Sequence, residues 1–208
     1  MKLHITIDTD ETPIIDFCEK CEGKDKYEGK DKYEIGDIIS FKLDDGEEVE
    51  AMAVQKDAWG NTIFCFVDCL KKEYPMNERS TNEGGYEKSD LRRWLNGEIV
   101  ARFPKGIRDR LIPFANGDYL RLPTEKEIFG KNEYGEDEPE TTEQWEPMKR
   151  RRNRMAFQGK EGPFEWYWLQ NRRRDVVSSA YFAFVDRGGN ATYYGASYSF
   201  GVRPAFKI

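Results

Sequence analysis

Length and composition indicate a folded protein, because 208 residues can bury a hydrophobic core, 38% of them are hydrophobic and 14% are aromatic. The net charge of −6 is unevenly distributed, since residues 1–144 carry 21 basic and 34 acidic residues whereas residues 145–208 carry 12 and 5. These values argue against a disordered chain. The positive charge of the C-terminal third favours an anionic partner there. No apolar stretch predicts a secretory signal or a membrane span.

Residues 1–34 are predicted to be an extension in front of a domain that covers residues 35–208. The segment "KLHITID" alternates apolar and polar residues and predicts a strand, which contains the single histidine, His4. A lone histidine on a strand is more often structural than catalytic. Residues 22–33 repeat "EGKDKY" in tandem, and their charge predicts a mobile, solvated loop.

Three strands are predicted next, over residues 38–43, 49–55 and 62–70. The segments between them, "DDGE" and "AWGN", contain a glycine where a hairpin turn needs one. These strands should form a small antiparallel meander.

Short helices are predicted after the meander, with their apolar residues in the core. Ser89 or Asp90 can cap the first helix, and Gly97 can end it. A second helix is expected over residues 99–103 and a third around residues 107–111, each bounded by a proline.

The segment "YLRLPTEKEIFG" predicts a strand and then a helical turn, because Thr124 and Glu127 have the spacing of a capping box. The stretch "KNEYGEDEPETTEQW" is predicted to be an acidic loop. The basic segment "KRRRNR" that follows is expected to be a solvated face that pairs with this loop.

Four short strands are predicted at the C-terminal end, from "EWYWLQN", "AYFAFVD", "ATYYGAS" and "GVRPAFKI". The turns between them are rich in Gly and Asn. Strands at both ends of the chain with helices between them predict an α+β domain.

The four cysteines, at positions 18, 21, 65 and 69, have spacings that are compatible with a zinc site. However, "TIFCFVDCL" is predicted to be a strand, in which two thiols four residues apart are separated by about 13 Å and cannot share an ion. Buried or unpaired thiols are therefore favoured over a metal site, and no metal or cofactor is expected.

Four segments of the chain, "DLRRWLNGEI", "YLRLPTEKEIFG", "WYWLQN" and "GVRPAFKI", resemble the C-type-lectin-fold proteins of bacteria and phages. The resemblance covers residues 35–208, and "WYWL" and "GVRPAF" are its most specific parts. It implies a C-type-lectin-like fold with antiparallel sheets, short helices in the middle and a C-terminal strand cluster. Proteins with this fold include the formylglycine-generating enzymes and the variable proteins of diversity-generating retroelements.

In the retroelement subset, the resemblance implies that adenine-directed mutagenesis rewrites C-terminal codons while the scaffold is unchanged. Asn codons with a pyrimidine in third place cannot become codons for Lys, Glu, Gln, Met or Trp. Residues 171–199 contain none of these five types, although the chain holds 17 Lys and 23 Glu and a stretch of this length would carry about five or six of those two. This composition favours a variable surface over an ordinary sheet face, even though strands modestly disfavour Lys and Glu.

Eleven residues in the candidate variable region, 171–199, are predicted to bind the ligand: Arg172, Arg173, Arg174, Asp175, Asp186, Arg187, Asn190, Thr192, Tyr194, Ser197 and Tyr198. The residues expected to face the core are Val177, Tyr181, Ala183, Val185 and Val202. Trp166 and Trp168 should flank the surface. The expected arrangement is one sheet with a fixed inner face and a changeable outer face.

The sequence therefore favours a binding protein whose C-terminal Tyr and Arg side chains recognise a partner protein or another acidic ligand. Nucleic-acid binding through "KRRRNR" and "RRR" is a weaker alternative, since the isoelectric point is near 5.1. A fixed lectin-fold domain without catalysis is a further alternative. We expect the protein in the cytoplasm or in a phage particle, without a membrane partner.

Enzymatic activity is not expected. Formylglycine-generating oxidases need a pair of cysteines near the C-terminal end, and no cysteine follows Cys69. No P-loop occurs, and a Ser/His/Asp set is missing because His4 stands alone. Calcium-dependent sugar binding is not expected either, because the sequence contains neither a Glu-Pro-Asn nor a Trp-Asn-Asp triplet. The nearest match, residues 138–140, is Glu-Pro-Glu.

Overall fold

Residues 33–174 and 179–208, together with the backbone of strand β1 (His4–Thr6), are described by a computed structural model. The expected repeat loop up to residue 32 lies outside the described residues, as do Cys18 and Cys21. Asp175 and Val177 also lie outside them. The short strand β1 confirms the strand predicted from "KLHITID".

The larger sheet has six strands in the order β1-β2-β3-β4-β13-β6. Its first part is the predicted antiparallel meander of β2 (Ile38–Lys42), β3 (Glu48–Lys56) and β4 (Thr62–Phe66). The third strand ends four residues earlier than predicted, because the N–H groups of Cys69 and Leu70 donate to segments outside this sheet.

The C-terminal strand β13 (Ala205–Lys207) lies inside this sheet, antiparallel to both β4 and β6 (Leu120–Arg121). Its Phe206 is fully buried. The meander near the start of the described chain and its last residues therefore form one continuous sheet.

The first helix, α1 (Asp90–Trp94), is capped by Ser89, whose hydroxyl accepts a hydrogen bond from the Arg92 N–H at 3.1 Å. Gly97 does not end it, because the chain continues through a π turn (Leu95–Ile99) to residue 101. This continuation buries the side chains of the first and last residues of the π turn completely. The prediction of a separate helix over residues 99–103 was therefore wrong.

Three further short helices follow. The second, α2 (Lys105–Arg108), begins after a proline and lies earlier than predicted. Helix α3 (Glu125–Phe129) has the complete capping box of Thr124, which confirms the prediction, and it ends at a glycine with a φ of 76°. Helix α4 (Arg151–Arg154) directly follows a 3₁₀ turn (Glu146–Lys149). Another 3₁₀ turn (Tyr86–Lys88) precedes α1.

The second sheet consists of the predicted C-terminal strands β9 (Tyr167–Arg172), β10 (Tyr181–Val185) and β11 (Ala191–Gly195). They are antiparallel in the order β11-β10-β9. Two antiparallel strand pairs complete the fold. One joins segments that are distant in the chain, β5 (Tyr74–Pro75) and β12 (Ser199–Phe200). The other joins neighbouring segments, β7 (Ala156–Phe157) and β8 (Phe164–Glu165).

The middle strand of the three-stranded sheet is buried on both faces. Phe182 and Phe184 pack into one hydrophobic cluster, and Ala183 and Val185 pack into the other. The expected changeable outer face is therefore absent from β10, because the large hydrophobic cluster covers that face. Of the three strands, the edge strand β11 is the most exposed.

The observed architecture is α+β, with mostly antiparallel sheets and a few short helices. In the two described ranges, no helix combines the length and the apolar character that crossing a membrane requires.

Candidate ligand-binding site

A pocket of about 590 Å³ opens beside the hairpin of β10 and β11. We call it the aromatic pocket because most of its wall consists of rings. It is lined by Trp166, Phe184, Asp186, Arg187, Gly188, Thr192, Tyr193, Tyr194, Tyr198 and Phe200.

Strand register brings most of the pocket residues to one side of the sheet, whereas the Tyr193 ring lies on the opposite face, beside Tyr134 and Tyr181. Thr192 of β11 lies opposite Phe184 of β10, which in turn lies opposite Trp168 of β9. Tyr194 follows Thr192 by two residues and therefore projects from the same face. The short strand β12 supplies Phe200 to the same side.

The rings of the aromatic pocket continue outward from the hydrophobic core, to which Phe184 and Phe200 belong. Phe200 connects to Phe184 at 4.8 Å, to Trp166 at 5.2 Å and to Tyr194 at 5.7 Å between ring centroids. The buried fraction falls along this chain of contacts, from the fully buried Trp168 to a Tyr198 side chain that is 55% exposed. The exposed rings are thus supported from beneath by rigid packing.

Tyr194 and Tyr198 form the outermost part of the pocket wall, with their ring centroids 4.5 Å apart and an edge-to-face orientation. Hydrogen bonding with the Tyr198 hydroxyl raises the pKa of Tyr194 above its ordinary value. The Tyr194 phenol is therefore neutral at physiological pH, and a phenol hydroxyl can both donate and accept hydrogen bonds.

A tight turn closes one end of the pocket. Asp186 Oδ1 accepts hydrogen bonds from the backbone N–H groups of Gly188 and Asn190, both at 2.8 Å, and Asn190 also donates its side-chain amide to this carboxylate. Asp186 and Asn190 consequently hold the turn, and Arg187 lies between them in the pocket wall.

Arg187 lies at the rim of the aromatic pocket. Its guanidinium is 4.9 Å from the centroid of a Trp166 ring, and its Nη2 is 3.7 Å from Glu165 Oε1. The arginine side chain is 56% exposed, so both contacts leave much of it accessible to an anionic group.

Helix α4 flanks the same turn and makes the surroundings more basic. Arg151 Nε donates to Gly188 O at 2.7 Å, and Arg154 Nε donates to Gly189 O at 3.1 Å. Their neighbours Arg150 and Arg152 are exposed, and neither forms an ion pair within the part of the chain that the structure describes.

The basic segment therefore does not pair with the acidic loop, contrary to the prediction. Instead, Arg172 Nε lies 2.5 Å from Glu136, and Arg174 Nη1 lies 3.1 Å from Asp137. The hydrogen bond that Arg172 donates to Glu136 raises the pKa of Arg172. These arginines were predicted to contact an acidic partner, but the acidic loop already neutralises them.

The acidic loop is held in place by Glu125 of α3. This fully buried carboxylate accepts hydrogen bonds from the N–H groups of Tyr134 and Gly135, at 3.0 and 2.8 Å. Burial raises the pKa of Glu125, against the effect of these backbone hydrogen bonds. The loop thus covers the outer edge of β9 although it contains no regular strand.

Five of the eleven predicted binding residues line the aromatic pocket: Asp186, Arg187, Thr192, Tyr194 and Tyr198. Ser197 is exposed in the turn before β12. Arg173 lies on the opposite face of the sheet, with its guanidinium 3.6 Å from the centroid of the Tyr193 ring. The structure therefore brings together the residues of the second half of the candidate region and separates them from the three consecutive arginines.

Sequence reasoning missed Phe184, Tyr193 and Phe200 as pocket residues. The strand pattern of "AYFAFVD" placed Ala183 and Val185 in the core, which assigned Phe182 and Phe184 to a solvent-facing side. Two large rings on that side were the available signal that it is covered.

Cys65 and Cys69 are both fully buried, and neither forms a disulfide. Burial raises the pKa of the Cys65 thiol to about 11 and that of Cys69 further. Among the described residues, no three His, Cys, Asp or Glu side chains are placed to hold a metal ion.

Residues 60–208 match the model of DUF6273, a domain of unknown function. The chain belongs to this family. The DUF6273 match includes every residue of the aromatic pocket and leaves β2 and β3 outside. A comparison with curated proteins and another with solved structures found no match.

Proposed function

We propose that this DUF6273 domain is a non-catalytic binding module that recognises a partner protein through the aromatic pocket. The observation that carries the proposal is the continuous group of rings that leads from the core to the surface, where Tyr194 is 43% exposed. Tyr, Trp and Arg are the residue types that contribute most to binding at protein interfaces. Rings that are already fixed by packing lose little conformational entropy when a partner binds.

The charge around the pocket supports an acidic partner. Arg187 stands at the rim, and the exposed Arg150 and Arg152 of the neighbouring basic segment add positive charge that no described residue neutralises. Such a field accelerates the encounter with an acidic surface and should make the association rate sensitive to salt.

The finer part of the proposal is that the domain has a C-type-lectin-like fold whose C-terminal surface is diversified by a retroelement. Its support is the composition of residues 171–199 and the convergence of several candidates on one pocket. Thr192, Tyr194, Ser197 and Tyr198 are at least partly exposed, so their replacement would leave the buried scaffold intact.

Panning a phage-displayed random peptide library on the intact protein tests the binding proposal. Selected peptides, resynthesised and measured by fluorescence anisotropy, should lose about tenfold or more in affinity with Tyr194→Ala. The matched control is Tyr119→Ala, because Tyr119 has nearly the same exposure, 42%, and lies outside the pocket. Equal losses in both variants, or none in either, would refute a pocket-centred site.

Sequencing the DNA beside the gene tests diversification separately. We expect a near-copy of the codons for residues 171–208 that differs at adenines, accompanied by a reverse transcriptase gene. The differences should include the codons of Thr192, Tyr194, Ser197 and Tyr198. A locus without such a copy would contradict diversification and would leave a fixed binding domain.

Single-stranded nucleic acid is the second candidate ligand, because exposed rings next to free arginines can stack bases and contact phosphates. Arg150 and Arg152 together with Tyr198 are the residues that favour it. Binding of a dT20 oligonucleotide across a salt series distinguishes the two, since phosphate contacts produce a linear fall of log affinity with log salt.

A further inference from the structure

The two edges of the three-stranded sheet differ in how they are covered. The outer edge of β9 is paired with other segments: Trp168 N–H donates to Gly201 O at 3.2 Å, and Gln170 N–H donates to Pro123 O at 3.0 Å. Farther along, Arg172 O accepts from an N–H of the acidic loop, that of Glu136, at 3.0 Å. This edge therefore has no free place for another strand over these residues.

Among the described residues, no segment pairs with the outer edge of β11, and we call this edge open. Hydrogen bonds from Asp186 N–H to Asn190 O and from Ala196 N–H to Ala180 O bracket the pairing with β10, at 2.8 and 2.7 Å. Hydrogen-bonded and non-hydrogen-bonded positions alternate along an antiparallel pair. Ala191, Tyr193 and Gly195 must therefore direct their N–H groups away from β10.

These outward N–H groups have no acceptor within the described ranges, 33–174 and 179–208. Of the outward carbonyls, that of Gly195 accepts from the Tyr198 N–H at 3.1 Å. Natural edge strands are usually protected by lysine, proline or a bulge. The sequence of β11, "ATYYG", contains neither residue, and its register with β10 is regular.

Both faces beside this open edge carry rings. On the pocket face stand Tyr194 and Tyr198, whereas on the opposite face Tyr193 lies 5.2 Å from Tyr134 and 5.7 Å from Tyr181 between centroids. Successive side chains of a strand point to opposite faces. A segment that paired with β11 would therefore place its side chains alternately against each group of rings.

We propose that β11 receives an extended, acidic segment of the partner protein as an additional strand of this sheet. Backbone hydrogen bonds to Ala191, Tyr193 and Gly195 would provide the pairing, and side chains in the aromatic pocket would provide selectivity. The acidic character follows from charge complementarity with Arg187 and with the exposed arginines at Arg150 and Arg152. This inference rests on the proposed function and specifies its mode of binding.

The test uses the intact protein and the resynthesised peptides from the library selection. Ala191→Pro removes an outward N–H and leaves the bonds of Thr192 and Tyr194 to β10 in place, and proline is tolerated at the first residue of an edge strand. The matched control, Ala191→Ser, retains the N–H. We expect the dissociation constant to rise about tenfold or more with proline and less than about twofold with serine.

Amide hydrogen exchange of the wild-type protein gives a second measurement that does not depend on a variant. Peptide binding should slow exchange at the outward N–H groups of Tyr193 and Gly195. Exchange at Thr192 and Tyr194 should change little, because their N–H groups are already bonded within the sheet. The selected peptides should also be enriched in Asp and Glu.

The outcomes separate this inference from the proposed function. Peptides that depend on Tyr194 but neither protect the Tyr193 amide nor respond to Ala191→Pro would overturn strand addition alone. Failure to select any peptide that depends on Tyr194 would overturn the proposed function as well. Selected peptides without acidic enrichment would refute the stated chemistry.

Two other occupants of the edge would also overturn the inference. Protection of the same amides by dT20, without protection by peptides, would assign the edge to nucleic acid. A dimer in sedimentation velocity that Ala191→Pro dissociates would assign it to a second copy of this chain.

Discussion

The two principal sheets use aromatic residues in opposite ways. In the six-stranded sheet, Phe41, Phe64, Phe66 and Phe206 are all at least 96% buried and pack against one another. In the three-stranded sheet, the rings extend outward until Tyr198 is 55% exposed. Aromatic rings thus stabilise the fold in the six-stranded sheet, whereas beside the three-stranded sheet they form part of the exposed surface. The difference lies in what covers each sheet.

Loss of a ring from the six-stranded sheet should have the largest effect. Phe206 is fully buried and lies 5.4 to 6.2 Å from the rings of Phe41, Phe64, Phe66 and Phe103. Phe206→Ala should lower the free energy of unfolding by about 3–5 kcal/mol in denaturant titrations. Phe206→Leu should cost clearly less, and an equal loss in both variants would show that ring packing is not the cause.

Removal of the cover from the β9 edge should have an intermediate effect. Glu125→Ala leaves the N–H groups of Tyr134 and Gly135 without their acceptor, at a cost of about 1–3 kcal/mol. Faster amide exchange at these two residues would confirm the cause. Glu125→Gln retains an acceptor oxygen and should lose less, whereas unchanged exchange in the alanine variant would contradict the role of Glu125.

Loss of a ring from the open side should have a small effect on stability. Tyr198→Ala should change the free energy of unfolding by about 1 kcal/mol or less, because the side chain is more than half exposed. The contrast with Phe206→Ala, measured in the same denaturant, is the direct check of the comparison. A loss of similar size in the two variants would mean that the outer rings belong to the core.

The smallest effect is expected at the ion pair of Arg172 and Glu136. Both side chains are nearly half exposed, at 42% and 47%, so solvent screens their attraction. A double-mutant cycle with alanine at both positions should give a coupling energy of about 0.2–1 kcal/mol that falls as salt is added. A coupling that does not respond to salt would contradict this interpretation.

Several elements were predictable because their signals are local. The capping box of Thr124 and Glu127, the meander turns and the four C-terminal strands each depend on residues close together in the chain. The end of α1 was not predictable in this way, because glycine commonly ends helices and Gly97 does not. It lies inside the continued helix because Leu95 and Ile99 find apolar partners in the core.

The candidate site shows the same division. The composition of residues 171–199 predicted a binding surface there, and five of the eleven predicted binding residues line one pocket. The sequence did not show which arginines are available to a ligand, because Arg172 and Arg174 pair with an acidic loop more than thirty residues away in sequence. Contacts between distant segments likewise decide three other features: the coverage of β10 on both faces, the insertion of β13 between β4 and β6, and the open edge of β11. Alternation and capping are properties of neighbouring residues, whereas burial and free hydrogen-bonding edges are decided only when separate parts of the chain pack together.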